Sequence, residues 1–374
     1  MKNDQNTFFE KVLLFIGIDV HKSKWVVTVR TYDLELKTFS MKPSAEELEN
    51  FLIKNYPGAV YRIVYECCFS GFWIYDYFTE KGYSIIVTPT NRIYKDGSTI
   101  KTDKIDSRKL ALQLSRELLR EVIVAAKRIR EYKYIFRIYD KQKMRQGQIL
   151  RQIKAFLEQK NHLLKWNRWN KGLLEKLKTL KFEDKLFDLK FGNLITEYEY
   201  IVSQIKDTEK IIEQIKEDEQ LGRRIQIIEK INGIGIISAV RMCLYLFDRK
   251  DRFESSERLN HYLGLTPSER SSGDKIIRDR SGVCGNRQLR SIIIQLAWMT
   301  VRKDGALLEK FDKVYKSSGS KQKAIVAVAR KLMTKIFAAI KKEEDYRINV
   351  RIASAAEQRI KEKPKKMIRT GDCV

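Results

Sequence analysis

The chain has 374 residues, of which 74 are lysine or arginine and 48 are aspartate or glutamate, so its formal net charge is +26. This length predicts two or three domains, and the excess of positive charge indicates a polyanionic partner, most simply nucleic acid. No apolar run approaches the roughly 18 residues that span a membrane, and residues 1–11 lack a signal-peptide pattern, so we expect a cytoplasmic protein with no membrane partner.

The first 90 residues alternate between strand and helix patterns. The apolar run 12–19 (VLLFIGID) ends in Asp19, and a short turn joins it to a second β-rich run at 25–29, which predicts a hairpin. The turn contains His21, one of three histidines, whose spacing gives no sign of a shared metal. The patterns that follow predict a strand at 38–41, a helix at 44–54 with a capping box, a strand at 60–66 ending in Glu66, a helix through 73–78 and a strand at 83–87. This order predicts an α/β domain with mixed strand pairing.

The next helix begins at the sequence KTDKID, residues 101–106. Asp103 and Asp106 are three residues apart and therefore share one face of the helix. They could simply form an acidic first turn, with Thr102 or Asp103 as N-cap, or they could bind Mg²⁺ or Mn²⁺. Asp19 could likewise be a simple turn residue. Four carboxylates from three elements (Asp19, Glu66, and Asp103 with Asp106) at one sheet edge repel each other unless cations neutralise them, and this favours the metal interpretation.

The motifs GIDVHKSKW, YECCFSGFW and KTDKIDSRKLA resemble the DEDD transposases of bacterial insertion sequences, the IS-one-ten (IS110) class that is guided by a bridge RNA. This resemblance implies an RNase H-like (RuvC-like) N-terminal domain, as in Holliday-junction resolvases. It also implies that Asp19, Glu66, Asp103 and Asp106 bind the catalytic Mg²⁺ or Mn²⁺. Ser107 stands where the family usually has alanine, and the pair Cys67-Cys68 is atypical.

The middle of the chain is predicted to be helical. From Leu119 to about Leu164 it is rich in arginine and lysine with interleaved aromatic residues, which fits contact with RNA or single strands, or else a solvated basic helix face. From Leu194 to Ile215, apolar residues recur at alternating steps of four and three. This heptad seam predicts a coiled-coil arm that forms a helical hairpin or an oligomer contact.

The C-terminal third contains two further motifs. The turn in EKINGIGII, residues 229–237, resembles the hairpin of helix-hairpin-helix DNA-binding proteins. Residues 264–273 (GLTPSERSSG) read as a polar loop whose serines could be turn formers or a nucleophile. A strongly amphipathic helix is predicted at 321–342, before a charged tail.

The stretch from Ile231 to about Ile340 is similar to the C-terminal transposase domain of the same family. The resemblance implies that a serine of the Ser-Gly element attacks DNA and forms a covalent phosphoserine link. That serine aligns with Ser272, with Ser271 as the second choice and Ser268 as the third. Asp274 and Cys284 depart from the family pattern but leave Ser272 in place.

These observations predict a DNA transposase or recombinase that uses a metal-assisted serine nucleophile. The expected domains are 12–135 (RNase H-like, α/β), 136–222 (helical coiled-coil arm), 223–345 (mainly α transposase domain) and 346–374 (basic tail). The expected partners are donor and target DNA, a structured guide RNA, and further copies of the chain in a dimer or tetramer. The alternatives are a resolvase-like nuclease that attacks with water and a non-catalytic nucleic-acid-binding protein.

Overall fold

The computed structural model describes residues 9–90, 102–159, 161, 171–266, 269–272, 275–278 and 286–348. The chain forms two compact units, Met1–Lys127 and Arg128–Val374. Within the described ranges, no helix has the length and apolar character needed to cross a membrane.

The first unit is built on a five-stranded sheet. Its strands are β1 (Leu13–Val20), β2 (Trp25–Arg30), β3 (Glu35–Met41), β4 (Val60–Glu66) and β5 (Ser84–Thr88), and its helices are α1 (Ala45–Asn55), α2 (Trp73–Glu80) and α3 (Asp103–Ser115). The strand order is β3-β2-β1-β4-β5. β1 pairs antiparallel with β2 and parallel with β4, so the predicted α/β domain with mixed pairing is confirmed.

The two faces of this sheet are covered by different helices. Alternate residues of β1, such as Ile16 and Ile18, pack in one core cluster with Leu48 of α1 and Phe78 of α2. The intervening residues face the other way, where Phe15 of β1 and Val64 of β4 pack against Leu110 and Leu114 of α3. Because side chains alternate along a strand, α3 covers the face opposite α1 and α2.

The helices of this unit begin where their capping residues stand. Ser44 caps α1 by accepting a hydrogen bond from the backbone N–H of Glu47 at 3.1 Å, as predicted. Thr102, one of the two predicted candidates, caps α3 by accepting from the N–H of Ile105 at 3.4 Å.

The helix predicted from Leu119 begins later in the structure than predicted. The chain leaves α3 through Glu117, whose φ is +56°, and the next helix begins only at Lys127. Between them, the N–H of Val122 donates to the carbonyl of Val87 in β5 at 2.7 Å, and Val122 and Val124 pack against the sheet core. Contact with the sheet therefore overrides the local helical pattern.

The second unit is mainly helical. Its helices are α4 (Lys127–Gln159, which begins at the last residue of the first unit), α5 (Lys171–Thr179), α6 (Lys185–Gln214), α7 (Gly222–Glu229), α8 (Ile236–Leu246), α9 (Ser256–Tyr262), α10 (Arg287–Thr300), α11 (Gly305–Ser318) and α12 (Lys321–Lys342). The bounds of α12 are those predicted. The predicted polar loop at 264–273 needs correction, because β6 (Glu269–Ser272) and β7 (Lys275–Arg278) pair as an antiparallel hairpin.

The predicted heptad seam lies on α6 up to Ile212, and its last residue, Ile215, begins a short 3₁₀ helix (Ile215–Glu217). α4 and α6 run antiparallel, since Tyr139 donates to Glu209 at 2.9 Å near one end and the rings of Phe156 and Phe191 stack at 5.4 Å near the other. The seam residue Tyr198 is buried in the cluster that these two helices share. Of the two predicted uses of the seam, the structure therefore contains the helical hairpin.

Candidate metal centre

The sheet places Asp19 and Glu66 side by side. In the parallel pairing of β1 with β4, Ile18 is aligned with Tyr65, and the two acids are the next residue on each strand. Side-chain alternation puts both acids on the face that α3 covers, the face of Phe15 and Val64. Both side chains are partly buried. Two carboxylates thus lie at the same end of neighbouring central strands.

Gly17 brings α3 directly onto the backbone of β1. A Cβ atom at this position would lie 2.6 Å from the backbone nitrogen of Ala111 and closer still to the carbonyl oxygen of Ser107. The hydroxyl of Ser107 also lies 2.9 Å from that of Thr28 on β2, and both residues are buried. These contacts fix the first turns of α3, and with them Asp103 and Asp106, against the strand that carries Asp19.

The turn between β1 and β2 closes the cluster. His21 Nε2 lies 3.0 Å from Asp19 Oδ2 and 3.5 Å from Asp103 Oδ1. Lys24 Nζ lies 2.9 Å from Asp103 Oδ2. Asp19, His21 and Asp103 each offer one possible ligand atom, and these three atoms lie within 4.8 Å of one another. This spacing is small enough for one metal ion to contact all three side chains.

The electrostatics of this group favour a bound cation. Burial raises the pKa of Asp19, the electrostatic interaction and hydrogen bond with His21 lower it, and the nearby charges of Asp103 and Asp106 raise it again. The pKa of Asp103 is lowered, chiefly by its hydrogen bond to Lys24. The carboxylates therefore repel each other across the cluster, and a positive group that binds between them relieves this repulsion.

The donor set suits a hard divalent cation. Carboxylate oxygens are the ligands that Mg²⁺ and Mn²⁺ prefer, and an imidazole nitrogen is compatible with Mn²⁺. The structure brings Asp19 and Asp103 into one group and places Glu66 on the same face of the sheet. Asp106 follows one turn later on α3 and is half-buried. A possible acidic and histidine metal site is thus present in the first unit.

Two residues of this group were not predicted from the sequence. The spacing of the three histidines gives no sign of a shared metal, so the contacts of His21 with both Asp19 and Asp103 were not expected. The contact of Lys24 with Asp103 was also missed. Both residues are next to Asp19 in sequence, but nothing in the local pattern indicates that the start of α3 lies against this turn.

The predicted nucleophile lies in the other unit. Ser272 is the last residue of β6 and is aligned with Lys275 of β7, and Ser271 is aligned with Ile276. Ser268 lies outside the described residues. Downstream of the hairpin, α10 begins at Asn286, whose side chain accepts a hydrogen bond from the N–H of Leu289 at 3.0 Å. The role of Ser272 stays a prediction.

The close approach at Gly17 gives a first testable result. Gly17→Ala is expected to push α3 away from β1, to lower the free energy of unfolding by about 1–3 kcal/mol, and to weaken Mn²⁺ binding by about tenfold. Gly192→Ala on α6 is the matched control, since a Cβ there meets no atom within 4 Å. Thermal unfolding and calorimetric titration with Mn²⁺ measure both effects. Wild-type metal affinity in Gly17→Ala would contradict the positioning role of this contact.

Comparison with known proteins gives three informative similarities. Residues 225–313 match the family described as "Transposase IS116/IS110/IS902 family". The chain is 23% identical over 290 residues to the "Putative transposase y4qE" of Sinorhizobium fredii, covering 76% of this chain and 71% of that protein. It is also 29% identical over 128 residues to the "Pilin gene-inverting protein" of Moraxella bovis, covering 34% of this chain and 39% of that protein.

Proposed function

We propose that this chain, a DNA transposase or recombinase of the IS110 class by these similarities, cuts and rejoins DNA with a metal site on Asp19, Glu66, Asp103 and Asp106. The observation that carries the proposal is the convergence of Asp19 and Asp103 on His21, with ligand atoms within 4.8 Å. The β1–β4 pairing with α3 on one face agrees with an RNase H-like domain.

Each acid of the proposed site has a distinct structural position. Asp19 and Glu66 come from the ends of the neighbouring strands β1 and β4, and Asp103 and Asp106 come from the first turn of α3. His21 holds the carboxylates of Asp19 and Asp103 toward each other. When bound, Mg²⁺ or Mn²⁺ supplies charge stabilisation for the attacking and leaving oxygens of the phosphodiester.

Ser272 is the proposed nucleophile of the reaction. Its hydroxyl gives up a proton and forms the new bond to phosphorus, while the bond from phosphorus to the 3′ oxygen of the strand breaks and that oxygen gains a proton. The product is a 5′-phosphoserine link, which conserves the energy of the phosphodiester for rejoining. A serine hydroxyl is a weak nucleophile and needs activation at neutral pH, which is why the proposal couples Ser272 to the metal site.

The proposed partners follow from charge and family. The net charge of +26 fits binding to donor and target DNA and to a structured guide RNA. A guide RNA would select the target by base pairing, so the protein would not need to read the sequence itself. The proposed domains are the catalytic domain at 12–135, the helical arm at 136–222, the domain that carries Ser272 at 223–345 and the basic tail at 346–374. The protein would act as a dimer or tetramer.

A resolvase-like nuclease is the second candidate. All three residues of the Asp19, His21 and Asp103 group belong to the first unit, and their contacts do not involve Ser272. This favours an enzyme that needs no serine nucleophile. Such an enzyme would use the same four acids and attack the phosphodiester with water.

One experiment tests the proposal against this alternative. The protein is expressed with the DNA that flanks its gene and purified, and any bound RNA is sequenced. We then incubate the protein and RNA with Mg²⁺ and the DNA that the RNA matches. A discrete RNA and rejoined strands are expected. No specific RNA, together with cutting of four-way junctions without rejoining, would reject the guided recombinase and favour the nuclease.

A further inference from the structure

We propose that Lys24 is the resident counter-ion of the acidic site, which a divalent metal must displace from Asp103 and which then contacts a DNA phosphate. This inference rests on the proposed function, because it assigns a role to a side chain that borders the proposed metal site. It adds a residue that neither the motifs nor the comparisons assign.

The contact itself is the first argument. Lys24 Nζ lies 2.9 Å from Asp103 Oδ2, while His21 Nε2 lies 3.5 Å from the other carboxylate oxygen. Both oxygens of Asp103 are therefore already engaged by positive or potentially positive groups. A metal that binds Asp103 must compete with the ammonium group of Lys24 for the same oxygen.

The exposure of Lys24 is the second argument. The backbone at Lys24 is held in place, because its carbonyl accepts a hydrogen bond from the N–H of His21 at 3.2 Å and the next residue, Trp25, is buried. The side chain, by contrast, is 52% exposed. A lysine with a fixed backbone and an exposed, flexible stem can leave one anion for another a few ångströms away.

Charge gives the direction of the effect. Without a divalent metal, Lys24 offsets part of the repulsion among Asp19, Asp103 and Asp106. A metal ion that binds Oδ2 of Asp103 takes the oxygen that the ammonium group contacts, so the ammonium group has to leave it. A DNA phosphate bound beside the metal would then offer the ammonium group a new negative partner.

The test compares Lys24→Met with Lys104→Met. Lys104 is adjacent to Asp103 and exposed, and no ion pair is found for it within the part of the chain that the structure describes. Both variants remove one positive charge from the same region. Calorimetric titration of the full-length protein with Mn²⁺, without DNA, is expected to show about tenfold tighter binding for Lys24→Met and less than about twofold change for Lys104→Met. Equal or weaker Mn²⁺ binding by Lys24→Met would overturn the counter-ion role.

The phosphate contact has its own measurement. At saturating Mg²⁺, Lys24→Met is expected to cleave DNA about tenfold more slowly than Lys104→Met, although it binds metal more tightly. Lys24→Arg keeps the charge and is expected to restore most of the rate. Full cleavage by Lys24→Met would overturn the phosphate role.

Failure of this inference can be told apart from failure of the proposed function. If Asp103→Asn weakens Mn²⁺ binding while Lys24→Met behaves as Lys104→Met, the metal site stands and only the role of Lys24 is rejected. If Asp103→Asn leaves Mn²⁺ binding unchanged, the proposed metal site itself is rejected. Thermal unfolding of each variant confirms that the fold is retained.

Discussion

Asp103→Asn is expected to reduce Mg²⁺-dependent strand cleavage on the order of a thousandfold. Asparagine keeps the size of the side chain but loses the negative charge that a divalent cation needs. The hydrogen bond from Lys24 lowers the pKa of Asp103, so the wild-type carboxylate is ionised throughout the neutral range. Cleavage of labelled DNA over a range of Mg²⁺ concentrations measures the loss.

The matched control for this substitution is Asp207→Asn. Asp207 is an exposed acid on α6 that pairs with Lys210 at 3.4 Å, so the change removes the same charge from a helix surface outside the first unit. It is expected to leave cleavage unchanged. Asp103→Asn should also keep its affinity for DNA, because the basic surface is intact. Full cleavage by Asp103→Asn would reject the metal role of this residue.

Ser272→Ala is expected to remove the covalent protein–DNA product and to lower strand joining on the order of a thousandfold or more. Alanine lacks the hydroxyl oxygen that forms the phosphoserine in the proposed reaction. Labelled DNA that migrates with denatured protein reports the covalent link, and mass spectrometry of the labelled peptide identifies the residue.

Ser271→Ala is the control for the adjacent position. It also removes a serine hydroxyl from β6, but at the neighbouring position, where Ser271 is aligned with Ile276. Loss of the link in Ser271→Ala alone would move the nucleophile by one residue. If Ser272→Ala continues to cut DNA but never forms a covalent product, and wild type forms none either, water is the attacking group and the nuclease is correct.

Much of the first unit could be predicted from local patterns. β4 was predicted at its observed bounds because its apolar run is short and ends sharply at Glu66. The helix α1 was predicted because Ser44, its N-cap, is followed three residues later by Glu47. The placement of Asp19 and Glu66 at one sheet edge follows from the fact that each ends an apolar strand. The family motifs added the expectation that Asp103 and Asp106 join them.

The remaining features depend on contacts between distant segments. His21 and Lys24 belong to the site only because Gly17 lets α3 approach β1 closely, and a glycine in a strand does not by itself reveal what packs on it. The extended path before α4 depends on Val122 pairing with Val87, which overrides local helix propensity. The β6–β7 hairpin was missed because its short, polar strands lack the apolar alternation by which strands are recognised.

The order of the strands along the chain also determines when Asp19, Glu66 and Asp103 can come together during protein synthesis. The β1–β2 hairpin closes through a short turn, but Asp19 meets Glu66 only after the parallel β1–β4 pairing forms, and Asp103 arrives only when α3 docks. Contacts between residues far apart in sequence form later than local ones. A nascent chain that has not yet released α3 from the ribosome therefore lacks the complete set of acids. In the proposed mechanism, metal-assisted chemistry therefore cannot begin before the whole first unit has been made.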